Sequence, residues 1–420
     1  YYVSSNYDSV FYRDQNKNII GSLRKDTLVS LIQSNAITIN GLQYGKISYN
    51  GNIVYMAMSY LSPVNTKKDV YYVPSSGKDY TGSNKDSNAM VSYKAQLQNI
   101  GWTNYGKDAQ TIGNIGGSRR LETINITVKE SLVNENLQYR THVQDYGWMS
   151  WKKEGQNSGT IGESKRIEAI KIRLTGEISN YYDVFYRVQC QDFSWLGWTC
   201  NDRIAGTTGG GYRIESIQIK LYPKNITNPG ISHLSCITFE DKNGFKVCKD
   251  ANGTLYEDAQ SLLGTRNTYV LRVNKATNVV TVIVANGEGT FNIAYKRFVC
   301  STGKDTPPGT YYTPAKYRWK LLMGPSYGQY STRIVGGILF HSVPYNKQNP
   351  YTLSAKAFNQ LGTTCSHGCV RLMCKDAKWI YDNCALGTRV DIISGKDPLS
   401  KPTAPKISTS QTWDPTDPNI

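Results

Sequence analysis

The sequence predicts a mainly β, multidomain protein, and three observations carry that prediction. Tyrosine far outnumbers phenylalanine, 31 against 9, and together with 37 glycines this suits short, half-exposed strands and tight turns better than helical bundles. Apolar and polar residues alternate with a period of two in "LETINITV", "IEAIKIRL" and "IESIQIKL". Only "DAKWIYDNCALG" reads as a good helix, opened by Asp376 and stopped by Gly387. At 420 residues the chain exceeds a single core and divides into several domains.

Charge narrows the partners. Lys plus Arg is 48 against 32 for Asp plus Glu, a formal charge of +16 that favours a polyanionic surface, with a merely solvated basic surface as the bland alternative. Nucleic acid is one such surface and bacterial wall polymers are another; no Lys/Arg-rich block and no helix-turn-helix or zinc-finger signature is present, so nucleic acid is not expected. The most apolar run, "RIVGGILF" (333–340), is far shorter than the ~20 residues of a transmembrane helix, so no span is expected. The chain starts at Tyr1, so its lack of a signal segment says nothing about destination. Nine cysteines is an odd, high count, as a reactive thiol left over among structural disulfides would give.

Along the chain, residues 1–66 hold short strand-like runs separated by "NKN", "NG" and "YNGN" turns. Residues 67–88 include "PSSGKDYTGSNKDSN" and read as a linker. Residues 89–223 contain a threefold repeat: "YKAQLQNIGW" from Tyr93, "YRTHVQDYGW" from Tyr139 and "YRVQCQDFSW" from Tyr186, 46 and 47 residues apart. Trp102, Trp148 and Trp195 fall in register, as do Gly113, Gly159 and Gly206, then Arg120, Arg166 and Arg213, then Glu122, Glu168 and Glu215. A period in this range marks an array of supersecondary units, here β blades or trefoil-like lobes. The repeated Trp is expected as the core anchor of each unit, and the second aromatic three residues on, Tyr105, Trp151 or Trp198, as the exposed platform. Residues 224–268 connect the array to a further β region, 269–395, and 396–420 is a Pro/Ser/Thr-rich extended tail.

Within 269–395 the segment "TTCSHGCVRL" crowds two cysteines, a serine and a histidine around one glycine, and three readings compete for it. A metal site would draw on Cys365, Cys369, Cys374, His341 and His367, but the spacings are not those of paired zinc knuckles, and no metal or other cofactor is expected. A disulfide between Cys365 and Cys369 needs an extended step to fold back on itself. One between Cys374 and Cys384 spans mostly helix and more than ~10 Å, whereas Cys190 with Cys200 and Cys236 with Cys248 stand at hairpin spacing. In the third reading Cys369 is a nucleophile. A thiol attacks as thiolate, so it needs an imidazole, and His341, ending an apolar run expected to be a central strand, is placed to be the base. Gly368 lets the backbone turn and brings an N–H toward a developing oxyanion. A working pair predicts a thiol pKa below ~8.5.

These residues carry family resemblances. "FHSVPY" with His341, then "SHGCVRL" with Ser366, His367, Gly368, Cys369 and Arg371, preceded by "STGKDTPPGTY", make residues 269–393 resemble a YkuD-type L,D-transpeptidase catalytic domain. The fold this implies is a β-sandwich with one or two helices. The resemblance makes Cys369 the acyl nucleophile, His341 its base, and His367, Gly368 and Cys369 the walls of the oxyanion pocket. Arg371, with Ser366 and Ser342, falls on the substrate side, and the Ser342 carbonyl orients the imidazole. The implied reaction is acyl transfer between peptidoglycan stem peptides with release of D-Ala, forming 3→3 cross-links, and inactivation by carbapenems. The sequence departs from many members in the insertion "NKQNPYTLSAKAFNQLG" and in Arg371, where others carry Asn. The repeats resemble clostridial hydrophobic Trp repeats, and "KISYNGNIVYMAMSYLSP" resembles the last hairpin of a bacterial SH3-like domain, a barrel that binds wall peptides. Together these imply a secreted protein of the wall or surface of a Gram-positive bacterium. An L,D-carboxypeptidase, another thiol peptidase and an attachment protein with an inert catalytic domain remain as alternatives.

Overall fold

The computed structural model describes residues 2–3, 9–24, 30–49, 52–62, 91–128, 136–224 and 226–420, and is mainly β. Two units emerge, residues 1–83 with 222–228, and residues 84–221 with 229–420. Among the described residues no helix is long and apolar enough to cross a membrane.

In the first unit five strands form one sheet in the order Ile19–Arg24, Ser9–Arg13, Asn52–Ala57, Leu42–Tyr49, Ser30–Ile39. Asn40 and Gly41 both take positive φ between Ile39 and Leu42, which are paired, as a two-residue hairpin loop requires. Val10, Leu23, Ile47, Val54, Met56 and Leu61 make its core. The expected final hairpin runs Leu42–Tyr49 against Asn52–Ala57, followed by a 3-10 turn at Met58–Tyr60. The linker at 67–88 lies outside the described residues.

The repeats close into a ring. Each has a long strand that starts or contains its tyrosine, Val91–Leu97, Leu137–Val143 or Tyr182–Cys190, beside a second long strand, Leu121–Val128, Ile167–Leu174 or Ile214–Pro223. A short strand of each repeat crosses to its neighbour: Asn157–Gly159 pairs with the first repeat, Ala205–Thr208 with the second, and Ile112–Gly113 with the third. The in-register glycines sit at these crossings with φ of 135°, 119° and 120°. A methyl on Gly113, Gly159 or Gly206 would stand 2.2, 2.2 or 2.5 Å from the carbonyl oxygen of Glu215, Glu122 or Glu168, so no larger residue fits. The in-register Arg and Glu pair within each repeat, at 2.7 Å for Arg120–Glu122, 2.8 Å for Arg166–Glu168 and 2.6 Å for Arg213–Glu215.

The core anchor is the tyrosine, which corrects the expectation for the tryptophan. Tyr93, Tyr139 and Tyr186 are fully buried. Each hydroxyl accepts from a neighbouring repeat, from Ile219 N at 3.1 Å, Ile126 N at 3.0 Å and Ile172 N at 3.1 Å, and donates to the carbonyl of Gln110, Gln156 or Arg203 in its own. The phenol thus fills the core and satisfies backbone groups on both sides of the seam, which an indole N–H cannot do. Trp102 is 37% exposed, and Trp148 and Trp195 are half-buried. The residue after each tyrosine places its cation over both aromatics of its repeat: Lys94 at 4.8 and 4.9 Å from Trp102 and Tyr105, Arg140 at 5.2 and 4.7 Å from Trp148 and Trp151, Arg187 at 4.8 Å from both Trp195 and Trp198.

Segment 224–268 bonds both neighbours. Its strand Cys236–Lys242 runs parallel to Ala205–Thr208 of the third repeat, and its hairpin partner Phe245–Lys249 runs parallel to Phe291–Ser301. Neither hairpin-spaced disulfide forms: Cys200 stands opposite Phe185 and Cys248 opposite Phe239, so the registers keep both pairs apart.

The last region is two sheets sharing one strand. Gly309–Tyr312, Arg389–Ile393, Val270–Asn274, Val279–Ala285 and Phe291–Ser301 form the first. The end of Phe291–Ser301 continues into the second, through Val370–Leu372, Ile338–Ser342, Ser326–Val335 and Lys316–Leu322. The helix Cys374–Asn383 touches both, Trp379 against Tyr295 and Phe298 of the first sheet and Tyr381 against Tyr330 of the second. Residues 396–420 form no helix or strand, yet the tail is packed down. Leu399 is buried with Phe245 and Val270, Asp397 meets Arg297 at 2.5 Å, and Asp414 accepts the first helical N–H, that of Cys374, at 2.8 Å.

Candidate active site

His341 and Cys369 come to one cavity because their strands are parallel, with Cys369 Sγ 3.6 Å from the Gly337 carbonyl. Ile338–Ser342 lies between Ser326–Val335 and Val370–Leu372, with His341 opposite Arg371, so the crossover from 343 to 369 sets Cys369 just before its strand, two residues short of the position opposite His341. Both line a cavity of about 440 Å³, together with Ser366, His367, Gly368 and Arg371.

His341 is buried, and its Nδ1 lies 2.6 Å from the Ser342 carbonyl. A carbonyl only accepts, so Nδ1 carries the proton and Nε2 is the basic nitrogen. Burial lowers the imidazole pKa to about 4; the Arg371 charge adds to this and the Ser342 hydrogen bond opposes it. Burial also raises the Cys369 thiol, against the opposing Leu339 N–H and Arg371 charge. Burial therefore disfavours the charged form of both the Cys369 thiol and the His341 imidazole, opposite to the depressed thiol the sequence led us to expect. An ion pair here would leave two charges desolvated, and the ring's other nitrogen meets a carbonyl rather than a carboxylate.

The Cys369 loop is held from beneath by the segment that follows Phe291–Ser301. Thr302 O accepts from Cys365 N at 3.0 Å and Ser366 N at 3.1 Å, Asp305 N donates to His367 O at 3.0 Å, and Thr306 Oγ1 donates to Gly368 O at 2.7 Å. Asn278 Oδ1 in turn accepts from both the N–H and hydroxyl of Thr302 at 2.8 Å. Gly303 allows the approach: a methyl there would lie 2.5 Å from Gly368 N and Ser366 O and 2.6 Å from His367 C. Gly328 gives the imidazole its space in the same way, a methyl falling 2.8 Å from His341 Nδ1. Gly368 itself does not take positive φ; a methyl there would meet the Ile338 side chain at 2.6 Å.

The hydroxyls of two expected residues are engaged within the protein. Ser342 is fully buried and absent from the cavity wall; its hydroxyl accepts from Gln329 N at 2.8 Å, and its carbonyl is the partner of His341 Nδ1. Ser366 lines the cavity, but its hydroxyl donates to Cys369 O at 2.6 Å and stiffens the loop. Arg371 lines the cavity with Nη1 4.0 Å from Cys365 Sγ, and its buried Nε has no hydrogen-bond partner among the described residues. The insertion 346–362 does not line the cavity: it carries a short helix, Ala355–Phe358, and buries Leu353, Phe358 and Leu361 against Val299, Val343 and Tyr345. The overhanging wall is instead the hairpin of Lys316–Leu322 and Ser326–Val335, which contributes Lys320, Leu321, Met323 and Arg333. Sequence reasoning missed this hairpin, along with Gly303, Thr306 and Gly328. "STGKDTPPGTY" was the one available signal, and it lies some sixty residues from the loop it supports.

Comparison with known proteins finds two families along the chain. Residues 268–392 match the YkuD family, the L,D-transpeptidase catalytic domain, and residues 96–130, 142–176 and 189–223 match the clostridial hydrophobic W family. The Bacillus subtilis (strain 168) protein named "Putative L,D-transpeptidase YciB" is 42% identical over 91 residues, 21% of this chain and 46% of that protein, so the chain spans about half the length of this relative. Among solved structures, the L,D-transpeptidase of Stackebrandtia nassauensis is 18% identical, with a TM-score of 0.24, over 32% of this chain and 60% of that one. L,D-transpeptidase 1 of Mycobacterium tuberculosis is 18% identical, with a TM-score of 0.22, over 30% and 62%. The family matches begin at residue 96 and do not bear on the SH3-like domain expected at residues 1–66. Residues 268–392 are therefore similar to the YkuD L,D-transpeptidase catalytic domain, and the three segments before them to the clostridial hydrophobic W family.

Proposed function

We propose that this protein is a secreted peptidoglycan L,D-transpeptidase of a Gram-positive wall or surface, forming 3→3 cross-links through a thioester on Cys369. The observation that carries this is the cavity in which a thiol and a buried, neutral, Nδ1-oriented imidazole share one wall. His341 Nε2 takes the thiol proton as Sγ attacks the carbonyl carbon of the third residue of a tetrapeptide stem. The oxyanion is received at the His367–Cys369 loop, whose carbonyls at His367 and Gly368 are already engaged by Asp305 N and Thr306 Oγ1. Collapse breaks the peptide bond, the departing D-Ala amine takes the proton from the imidazolium, and the thioester remains. An amine of a second stem gives its proton to His341, attacks the thioester carbon and releases the thiol.

The cavity's charged lining is Lys320, Arg333 and Arg371 against Asp305, which suits stem peptides bearing free carboxylates. The +16 charge, the SH3-like region and the repeats, which present aromatics at their surface, are the proposed attachment to wall polymers. Acylation of Cys369 by carbapenems follows from the same chemistry. The test is to follow D-Ala release and dimer formation from disaccharide tetrapeptide. D-Ala without dimers would mean a carboxypeptidase, and no turnover an attachment protein with an inert domain.

A further inference from the structure

The catalytic base is held from a place far along the chain. Asp417 is buried, 5% exposed, and accepts from Gln329 Nε2 at 2.5 Å and from Tyr345 OH at 3.4 Å. Those two residues lie on the two backbones that enclose His341. Gln329 is fully buried; its N–H donates to Ser342 Oγ at 2.8 Å, its Oε1 accepts from Arg318 at 2.7 Å, and it follows Gly328, the residue packed against the imidazole. Tyr345 stands four residues after His341 and exchanges both backbone hydrogen bonds with Tyr327, at 2.8 Å each. Asp417 therefore ties the backing strand to the strand that bears the base.

We propose that Asp417 is a positioning residue for His341, acting through Gln329 and Tyr345 to keep Nδ1 on the Ser342 carbonyl and Nε2 turned to the thiol. The imidazole has one short hydrogen bond of its own, to a carbonyl of the next residue, and no carboxylate is bonded to it among the described residues. Its orientation depends on where the Ser342 peptide and the Gly328–Gln329 backbone lie, and Asp417 sets the spacing of the two. Asp417 is itself fixed: Asn419 N donates to its other oxygen at 3.0 Å, and Asp414, on the same stretch, caps the helix Cys374–Asn383. Buried hydrogen-bonded networks of this kind fix one arrangement of a site because every member is satisfied by another. The stretch 414–419 belongs to the active centre although none of it lines the cavity.

This rests on His341 acting as the base but not on any peptide substrate, because the readout is alkylation of Cys369 by iodoacetamide in the full-length chain. Wild type, Asp417→Asn, His341→Ala and the double variant are compared after circular dichroism shows each to be folded. Asp417→Asn is expected to slow Cys369 alkylation about tenfold to a hundredfold at neutral pH, and to add nothing in the His341→Ala background, since it acts through that ring. Gln329→Met, of similar size and still able to donate its backbone N–H to Ser342, is expected to reproduce the loss. Wild-type alkylation in folded Asp417→Asn or Gln329→Met, or a loss that persists undiminished without His341, would overturn the proposal. A lowered melting temperature with unchanged alkylation would mean that Asp417 is structural only.

Discussion

The repeat ring and the catalytic region use the same two devices, at different multiplicity. In both, a glycine admits a neighbouring backbone where no side chain fits: Gly113, Gly159 and Gly206 at the seams of the ring, Gly303 beneath the Cys369 loop. In both, a buried side chain bonds backbone from another element, the tyrosine hydroxyls in the ring and Asn278 and Thr306 at the site. The ring makes each contact three times, so its geometry is spread over equivalent seams. The site makes each contact once, around one thiol. Equivalent substitutions should therefore cost the ring stability and the site activity.

The largest effect is expected at Gly303. Gly303→Ala drives a methyl into the backbone of Ser366, His367 and Gly368, and turnover should fall about a hundredfold, because an ångström of displacement at a reacting group is enough for that. Steady-state kinetics beside a melting curve checks it; near wild-type turnover would mean that the loop does not need this support.

Gly206→Ala tests the other side. Positive φ and a methyl 2.5 Å from the Glu168 carbonyl should cost about 3 kcal/mol of stability, with kcat unchanged in the folded protein. Denaturant unfolding measures the first and kinetics the second, and a drop in kcat would show the ring and the site to be coupled. Tyr139→Phe is the next step down. It leaves the Ile126 N–H and the Gln156 carbonyl without their buried partner, at about 2 kcal/mol.

The pH dependence sharpens the contrast from the site's side. His341 accepts a proton only when neutral, and burial holds its pKa near 4 rather than the ordinary 6.5. The acid limb of kcat/KM should therefore lie near pH 4, with activity lost as pH falls through that value. The same shift sets the stability sign: the fold disfavours the charged ring, so this histidine costs stability progressively as pH falls from about 6.5 toward about 4. A limb near 6.5 would contradict a desolvated base. The smallest effect is expected at Trp102: Trp102→Ala loses a cation–π contact at a partly exposed site, worth about 0.5–1 kcal/mol. A loss as large as that of Tyr139→Phe would restore the tryptophan as core anchor.

What was legible in the sequence was what is local or repeated. The period of the Tyr–Trp units, the alternation of the long strands and the Asn40–Gly41 turn each lie within one stretch of chain, and the His and Cys motifs are unusual enough to be seen alone. The exchange of burial between tyrosine and tryptophan was not legible, because both rings recur in register and only the closure of the ring decides which faces inward. The supports of the site were hidden for a different reason. Gly303, Gly328 and Asp417 act across gaps of 13 to 88 residues, and a lone glycine or aspartate carries no local mark of the backbone it will meet. The insertion 346–362 lies beside the catalytic motif in sequence but packs into a core of its own.

The central claim is that Cys369 carries the acyl group from one stem to another. Mass spectrometry of the wild-type protein and Cys369→Ala, each incubated with disaccharide tetrapeptide, tests it most directly. D-Ala release, a thioester adduct and a cross-linked dimer are expected with the wild type, and none of the three with the variant. Dimers formed by Cys369→Ala, or no turnover by either protein, would contradict it.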